Sequence, residues 1–241
     1  MPINGFKIKI FADGADIAGM KAMAAKPWID GFTTNPTLMR KVGIADYKAF
    51  AREAIGALPG RPISFEVFAD EFDEMEAQAR EIATWGPTVN VKIPITNTRG
   101  ESSVPLCAKL ARSGVVLNVT AIFTLDQVRA LAAALDPSVP AIVSVFAGRI
   151  ADTGVDPLRH MRECRALLGN LPKAELLWAS PREALNLVHA EQSGCHIITM
   201  TNDLLAKVEG FGKDLGQFSL ETVQMFRKDA VAAGYTIPTK A

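Results

Sequence analysis

The chain has 241 residues, 49% of them apolar and 22% charged, enough to fill one large core. Its 26 basic and 26 acidic side chains cancel, so neither a basic surplus for nucleic acid nor an acidic disordered tail is present. Ligand specificity therefore has to come from local sites. The opening stretch, MPINGFKIKIFADG, lacks a basic segment followed by an apolar one, and no apolar run approaches the ~20 residues a membrane span needs. The expectation is a soluble, cytoplasmic protein with no membrane partner. The three cysteines, Cys107, Cys164 and Cys195, show neither metal spacing nor a disulfide framework and read as small buried hydrophobes.

Short β-branched runs recur along the chain. They predict strands at Ile8–Ala12, Gly31–Thr34, Ile63–Val67, Val89–Ile93, Val115–Val119, Ala141–Val145, Glu175–Trp178 and His196–Thr199. Amphipathic segments such as AFAREAIGAL, EMEAQAREIATW, SVPLCAKLARSG, LDQVRALAAAL and DPLRHMRECRALLG separate them and predict helices. Strand followed by helix, repeated around the chain, predicts parallel pairing and an α/β fold, a closed (β/α)8 TIM barrel spanning 1–241 as one domain. A doubly wound open sheet is the alternative, and the lack of G-x-G-x-x-G after any strand weakens it. No linker or low-complexity segment divides the chain. The last stretch, SLETVQMFRKDAVAAG, predicts one more helix over 219–234, with Ser219 as N-cap, Glu221 in the first turn and Gly234 as stop. That helix is surplus to a barrel and is expected to cover an end or reach a neighbouring subunit.

In TVNVKIPIT, residues 88 to 96, Thr88, Asn90 and Lys92 share one face of the strand, and Val89, Val91 and Ile93 share the other. A barrel strand turns its apolar face to the helices, so Lys92 should point inward. It stands at the C-terminal strand end, where active sites of this fold collect. The other strands repeat the pattern: Asp13 ends the first, Thr33 and Asn35 close the second, and Ser64 and Glu66 share a face of the third. Asn118 aligns with Thr120 on the fifth and Ser144 with Phe146 on the sixth, followed by Arg149. The seventh ends at Ser180, with Arg182 two residues on. Any one of these polar residues is ordinarily a cap or a turn residue. Their convergence from so many strand ends indicates a site, because buried polar groups need partners.

A lysine in such a pocket can pair with a carboxylate, bind phosphate, or lose its proton and attack a carbonyl. The last use needs desolvation or neighbouring cations to lower its proton affinity. It also needs a carboxylate to move protons, for which Asp13 and Glu66 are candidates. Asn35 and Asn118 suit sugar hydroxyls. Arg149, Ser180 and Arg182 make a plausible anion site, since guanidinium fits phosphate oxygens. Together these residues point to a Schiff-base lyase or transferase acting on a phosphorylated sugar.

The stretches GFTTNPTL, VNVKIPIT, LNVTAIF, VSVFAGRI and WASPRE resemble the transaldolases and the related fructose-6-phosphate aldolases, from about residue 7 to residue 207. The resemblance implies a class I mechanism without metal or other cofactor. It places Lys92 as the Schiff-base lysine and Asp13 as the base for the C4 hydroxyl. Glu66 and Thr120 would hold a proton-shuttling water. Asn35 and Asn118 would hold the dihydroxyacetone unit in a pocket that Thr33 and Ser144 also line. Arg149, Ser180 and Arg182 would bind the phosphate. The aldolase branch typically has glutamine at the position of Glu66 and tyrosine at that of Phe146, so both residues are transaldolase-like. The implied reaction is transfer of a dihydroxyacetone unit, with release of dihydroxyacetone, or a sugar-phosphate-binding barrel without catalysis, as alternatives. Retention of Lys92, Asp13 and Glu66 together speaks against the last.

TNTRGESS after the lysine strand and TMTNDLL after the eighth depart from the family pattern. Trp178 is expected in core packing rather than in the pocket. The histidines, His160, His189 and His196, lack zinc-site spacing and are expected at the surface or satisfied in the core. The resemblance in length implies a homo-oligomer, with rings of five or ten subunits as the family's forms.

Overall fold

The computed structural model describes residues 3–239. Eight strands form one closed, all-parallel barrel in chain order: β1 (Lys9–Asp13), β2 (Gly31–Thr33), β3 (Ile63–Glu66), β4 (Val89–Pro94), β5 (Leu117–Ile122), β6 (Ala141–Val145), β7 (Ala174–Trp178) and β8 (Ile197–Thr201), with β8 pairing back to β1. Between them run α1 (Ile17–Ala24), α2 (Pro36–Lys41), α3 (Tyr47–Ala57), α4 (Phe72–Ala83), α5 (Val104–Arg112) and α6 (Leu125–Ala134). The chain continues through α7 (Ala147–Ala151), α8 (Pro157–Leu167), α9 (Asn186–Gln192), α10 (Asn202–Val208) and α11 (Leu215–Ala232). This is the expected (β/α)8 barrel with an extra C-terminal helix.

Local chemistry sets the helix starts. Asp16, Asn35, Asp46 and Asp156 each accept from a backbone N–H in the first turn of the helix that follows, and Thr124 with Gln127 forms a full capping box on α6. Pro36 and Pro157 occupy first-turn positions whose N–H has no partner within the helix.

Two apolar cores result. The larger lies between the strands and the helix ring and holds Val89, Val91 and Ile93 of β4, as the alternation requires. It also holds Trp178, which is fully buried as core packing, although its Nε1 finds no partner among the described residues. The smaller core plugs the barrel lumen with Phe11, Ile142, Leu177, Ala179 and Ile197. The cysteines are buried as expected, and burial pushes all three thiols up to about 12. His196 is satisfied, its Nδ1 accepting from Leu176 N–H at 2.8 Å. His160 is not: its Nε2 is buried without a partner among the described residues.

Most expected strand ends move by one or two residues, and two elements shift further. The fifth strand begins at Leu117 rather than Val115, because Val115 N–H is taken by Leu110 C=O at 3.1 Å in the turn that ends α5. It then runs on to Ile122 through a one-residue bulge against β6. The last helix begins four residues before Ser219. Asp214, not Ser219, is the N-cap, its carboxylate accepting from Gln217 N–H at 2.8 Å. The stop falls where expected: Gly234 takes φ +67 and Tyr235 N–H closes back on Ala230 C=O at 3.1 Å. α11 has no buried residue and leaves Phe218, Val223 and Phe226 more than half exposed. Among the described residues no helix is long and apolar enough to cross a membrane.

Candidate active site

A cavity of about 410 Å³ opens at the C-terminal ends of the strands. All eight strands or the loops that follow them contribute to it. Of the sequence-predicted residues, Asp13, Thr33, Asn35, Glu66, Lys92, Asn118, Thr120, Ser144, Phe146, Arg149 and Ser180 line it, and Arg182 does not.

Lys92 is 7% exposed. Its Nζ lies 3.0 Å from Glu66 Oε2 and donates to Thr34 C=O at 3.0 Å. The register explains the first contact, since Glu66 and Lys92 are directly paired across β3 and β4, with side chains on the same inner face. Of the two influences that could lower its proton affinity, burial is present, while its nearest partners are a carboxylate and a carbonyl rather than cations. The amine is held in place by these two acceptors.

Asp13 sits at the end of β1. Its Oδ1 accepts from Thr33 Oγ1 at 2.8 Å and its Oδ2 from Asn35 Nδ2 at 3.3 Å. Burial raises its carboxyl above the usual carboxylate range, against the opposing pull of Lys92 and of the Thr33 hydrogen bond. A carboxylate tuned upward is a better proton acceptor than an ordinary one. Asn35 does two jobs: its Oδ1 caps α2 through Leu38 N–H at 3.0 Å, while its amide nitrogen serves Asp13. Asn118 is clamped, its Nδ2 donating to Ser64 Oγ at 3.0 Å and its Oδ1 accepting from Ser144 Oγ at 2.6 Å. Its amide plane is thereby fixed on the cavity wall.

Thr120 stands on the β5 bulge, where the register against β6 shifts between Val119 and Ile122 and Ala121 adopts φ +57. Its hydroxyl is buried and has no partner among the described residues. A buried hydroxyl beside a polar cavity is a natural seat for a water or a substrate oxygen.

The end of the cavity at Ser180 and Arg149 is built on strain. Ser180 holds φ +58, and Ala121 and Ser180, the two non-glycine residues with positive φ among the described residues, both line the cavity. Gly148 permits the Ser180 turn: a Cβ there would lie 1.7 Å from Ser180 C=O. Arg149, carried by α7 directly after β6, places its guanidinium 5.3 Å from the centre of the Phe146 ring. Arg182 lies behind this wall. Its Nε donates to both carboxylate oxygens of Asp152 at 3.0 Å, and its Nη1 donates to Ser180 Oγ at 3.1 Å. It reaches the cavity through Ser180, because Asp152 holds it. That carboxylate lies thirty residues away in sequence and carried no signal there.

Sequence reasoning also left out Thr199, whose hydroxyl is 2.5 Å from Thr33 Oγ1 on the cavity floor. Its two-residue spacing from the lumen-facing Ile197 was the available signal. The divergent loop after β4 is tied down away from the cavity: Thr98 N–H and Oγ1 donate to Asp70 at 2.7 Å each, and Arg99 pairs with Glu71 at 2.7 Å.

A closed parallel barrel with a buried lysine and two carboxylates at its C-terminal mouth defines the class, and comparison with known proteins gives the family. A family model described as Transaldolase/Fructose-6-phosphate aldolase matches residues 10–237, and the chain belongs to that family. It is 35% identical over 202 residues to a "Probable transaldolase" of Dehalococcoides mccartyi, covering 83% of this chain and 90% of that one. It is 34% identical over 223 residues to "Probable transaldolase 2" of Listeria monocytogenes, covering 88% and 98%. Among solved structures, 2,3-dimethylmalate lyase aligns with TM-score 0.56 at 14% identity over 99% of this chain and 88% of that one. A variant of the citrate synthase SbnG aligns with TM-score 0.57 at 10% identity over 94% and 97%. These structural likenesses speak for the fold alone.

Proposed function

We propose that the protein is a transaldolase that moves a dihydroxyacetone unit from a ketose phosphate to an aldose phosphate through a Schiff base on Lys92. The observation that carries this reading is the buried Lys92 amine, 3.0 Å from the Glu66 carboxylate in a cavity it shares with Asp13. Glu66 accepts the ammonium proton. The free amine adds to the C2 carbonyl of the ketose, and the carbinolamine loses water to give an iminium ion. A water held between Glu66 and the unpartnered Thr120 hydroxyl carries the protons of that step. Asp13 then takes the proton of the C4 hydroxyl, the C3–C4 bond breaks, and its electrons collect in the enamine on Lys92. The aldose leaves, an acceptor aldehyde enters, and the steps run in reverse.

Asn35 and Asn118 hold the hydroxyls of the three-carbon unit. Arg149 and Ser180 bind the phosphate, and Arg182 steadies Ser180 from behind. Phe146 favours transfer over release of dihydroxyacetone. Its ring supports Arg149 and offers no hydroxyl to protonate the enamine. The family match and the curated relatives support the aldolase-type chemistry.

The test is borohydride trapping with fructose 6-phosphate, followed by peptide mapping. The expected result is a reduced adduct on Lys92 that disappears in Lys92→Met together with turnover. Failure to trap an adduct with any of several ketose phosphates would sink the reading. Fast turnover without an aldose acceptor would favour release of dihydroxyacetone.

A further inference from the structure

The ladder between β2 and β3 is cut short at the catalytic end. The strands pair at Phe32↔Ile63 and Thr33↔Ser64, and the last bond runs from Thr34 N–H to Ser64 C=O at 3.3 Å. In a parallel ladder, a residue that donates to one carbonyl accepts from the N–H two residues further along the same neighbour. The next rung should therefore run from Glu66 N–H to Thr34 C=O, and the one after from residue 36 to Glu66 C=O. Residue 36 is proline and has no N–H to give. Neither rung forms. Glu66 N–H donates instead to the Tyr47 hydroxyl at 2.8 Å, and that hydroxyl donates to Glu66 C=O at 3.1 Å. Thr34 C=O, released from the ladder, accepts from Lys92 Nζ at 3.0 Å.

Tyr47 is the first residue of α3, and its ring is fixed among aromatic neighbours. It stands edge-on to Phe65 and Trp85, with centroids 6.0 and 5.3 Å away, and tilted over Phe68 at 4.6 Å. Burial holds its phenol proton on, well above the usual phenol range, so it serves as a neutral donor and acceptor at working pH.

We propose that Tyr47 is a positioning residue for imine formation: its hydroxyl replaces the missing strand partner of Glu66, so that the Glu66 carboxylate and the freed Thr34 carbonyl both meet Lys92 Nζ. A direct Glu66–Thr34 rung would take one of the two acceptor sites of the carbonyl the lysine uses. It would also pull the Glu66 main chain toward β2, away from the register that sets its carboxylate beside the amine. Tyr47 itself never touches substrate and does not line the cavity. The proposal rests on the reading of Glu66 as the proton carrier for Lys92.

The experiment compares Tyr47→Phe, Glu66→Gln and the double variant by the rate of borohydride-trappable imine formation with fructose 6-phosphate, well below the melting temperature. Phenylalanine keeps the aromatic packing and removes the hydroxyl, with its two hydrogen bonds to the Glu66 main chain. Tyr47→Phe should slow imine formation about five- to tenfold, the equivalent of one misplaced hydrogen bond. It should leave carbon–carbon cleavage from the preformed imine unchanged, and add nothing to the defect of Glu66→Gln in the double variant. Wild-type imine formation in Tyr47→Phe alongside slow imine formation in Glu66→Gln overturns the proposal and spares the role of Glu66. Additive losses also overturn it. A Glu66→Gln protein with the wild-type rate removes the role of Glu66 itself. If Tyr47→Phe does not fold, 3-fluorotyrosine at position 47 alters the hydroxyl's hydrogen bonding and retains the ring. An imine-formation rate indifferent to fluorination then overturns the proposal.

Discussion

Phe11 and Asp13 lie two residues apart on the inner face of β1, and the barrel uses them in opposite ways. Phe11 is 2% exposed and packs into the lumen plug with Ile142, Leu177 and Ile197. Its ring has room because Gly31, its direct neighbour on β2, lacks a side chain; a Cβ there would lie 2.7 Å from ring atoms. Asp13, one layer higher, is a carboxylate held above its usual proton affinity by burial. The same step occurs on β6 from Ile142 to Ser144 and on β8 from Ile197 to Thr199. The lower layer gains stability from apolar contact. The upper layer gives some of it up to hold polar groups out of water. Two residues of strand are enough to pass from one regime to the other.

Replacing the residues of this pair separately tests the contrast, and Asp13→Asn has the larger expected effect on turnover. Loss of the proton acceptor should lower kcat by about 10²–10⁴-fold. Stability should move the other way. Because folding raises the Asp13 carboxyl, the folded state binds its proton more tightly than the unfolded state. The ionised group therefore costs stability at neutral pH. Asn removes that cost, so Tm should rise at pH 7, and the gain should vanish as pH falls below the ordinary carboxylate value of 3.8, where both states are protonated. A lower Tm at pH 7 in thermal unfolding would mean that the Thr33 and Asn35 contacts outweigh the burial of charge.

Phe11→Ala addresses the plug. Emptying a packed lumen site should cost about 3–5 kcal/mol, or roughly 6–20 °C in Tm for a chain of this size. Below the transition KM and kcat should stay within about twofold, since the upper layer keeps its own hydrogen bonds. A large kcat loss at low temperature would show that the plug also aims the catalytic groups, and the division into two layers would fail.

What the sequence made legible follows from the same two layers. Lys92, Glu66 and Asn118 could be read because each is a polar residue at the end of an apolar alternation, and strand pairing then brings Glu66 beside Lys92. The barrel could be read because eight β-branched runs alternate with amphipathic segments. The fifth strand was displaced because Val115 has strand-like chemistry but gives its N–H to the turn after α5. Tyr47 was not legible: it opens a helix, and its partners are the main-chain groups of a residue nineteen positions away. Pro36 records one missing ladder rung in the sequence, but nothing there records the hydroxyl that takes its place. The bond between Arg182 and Asp152 escaped for a similar reason, because it joins the end of α7 to the segment after β7, which the pairing of β6 with β7 brings side by side.

That bond gives the smallest expected effect and the finest test of the upper layer. Asp152 holds the Arg182 carboxylate-facing edge while Nη1 reaches Ser180, so the same interaction both orients the guanidinium and offsets its charge. Arg182 in turn holds the Asp152 carboxyl below its usual range. Both side chains are about half exposed, so little stability depends on the pair. In Asp152→Asn the amide oxygen still accepts one hydrogen bond from Arg182, while the negative charge beside the proposed phosphate end is gone. KM for a phosphorylated ketose should fall a few-fold at low ionic strength, with kcat and Tm unchanged, and the difference should fade as salt screens the exposed charges. KM for an unphosphorylated ketose should not move. A rise in KM for the phosphorylated donor alone would show that orientation of Arg182 matters more than its charge. Equal shifts for both donors would detach Arg182 from phosphate binding and leave that end of the cavity to Arg149 and Ser180.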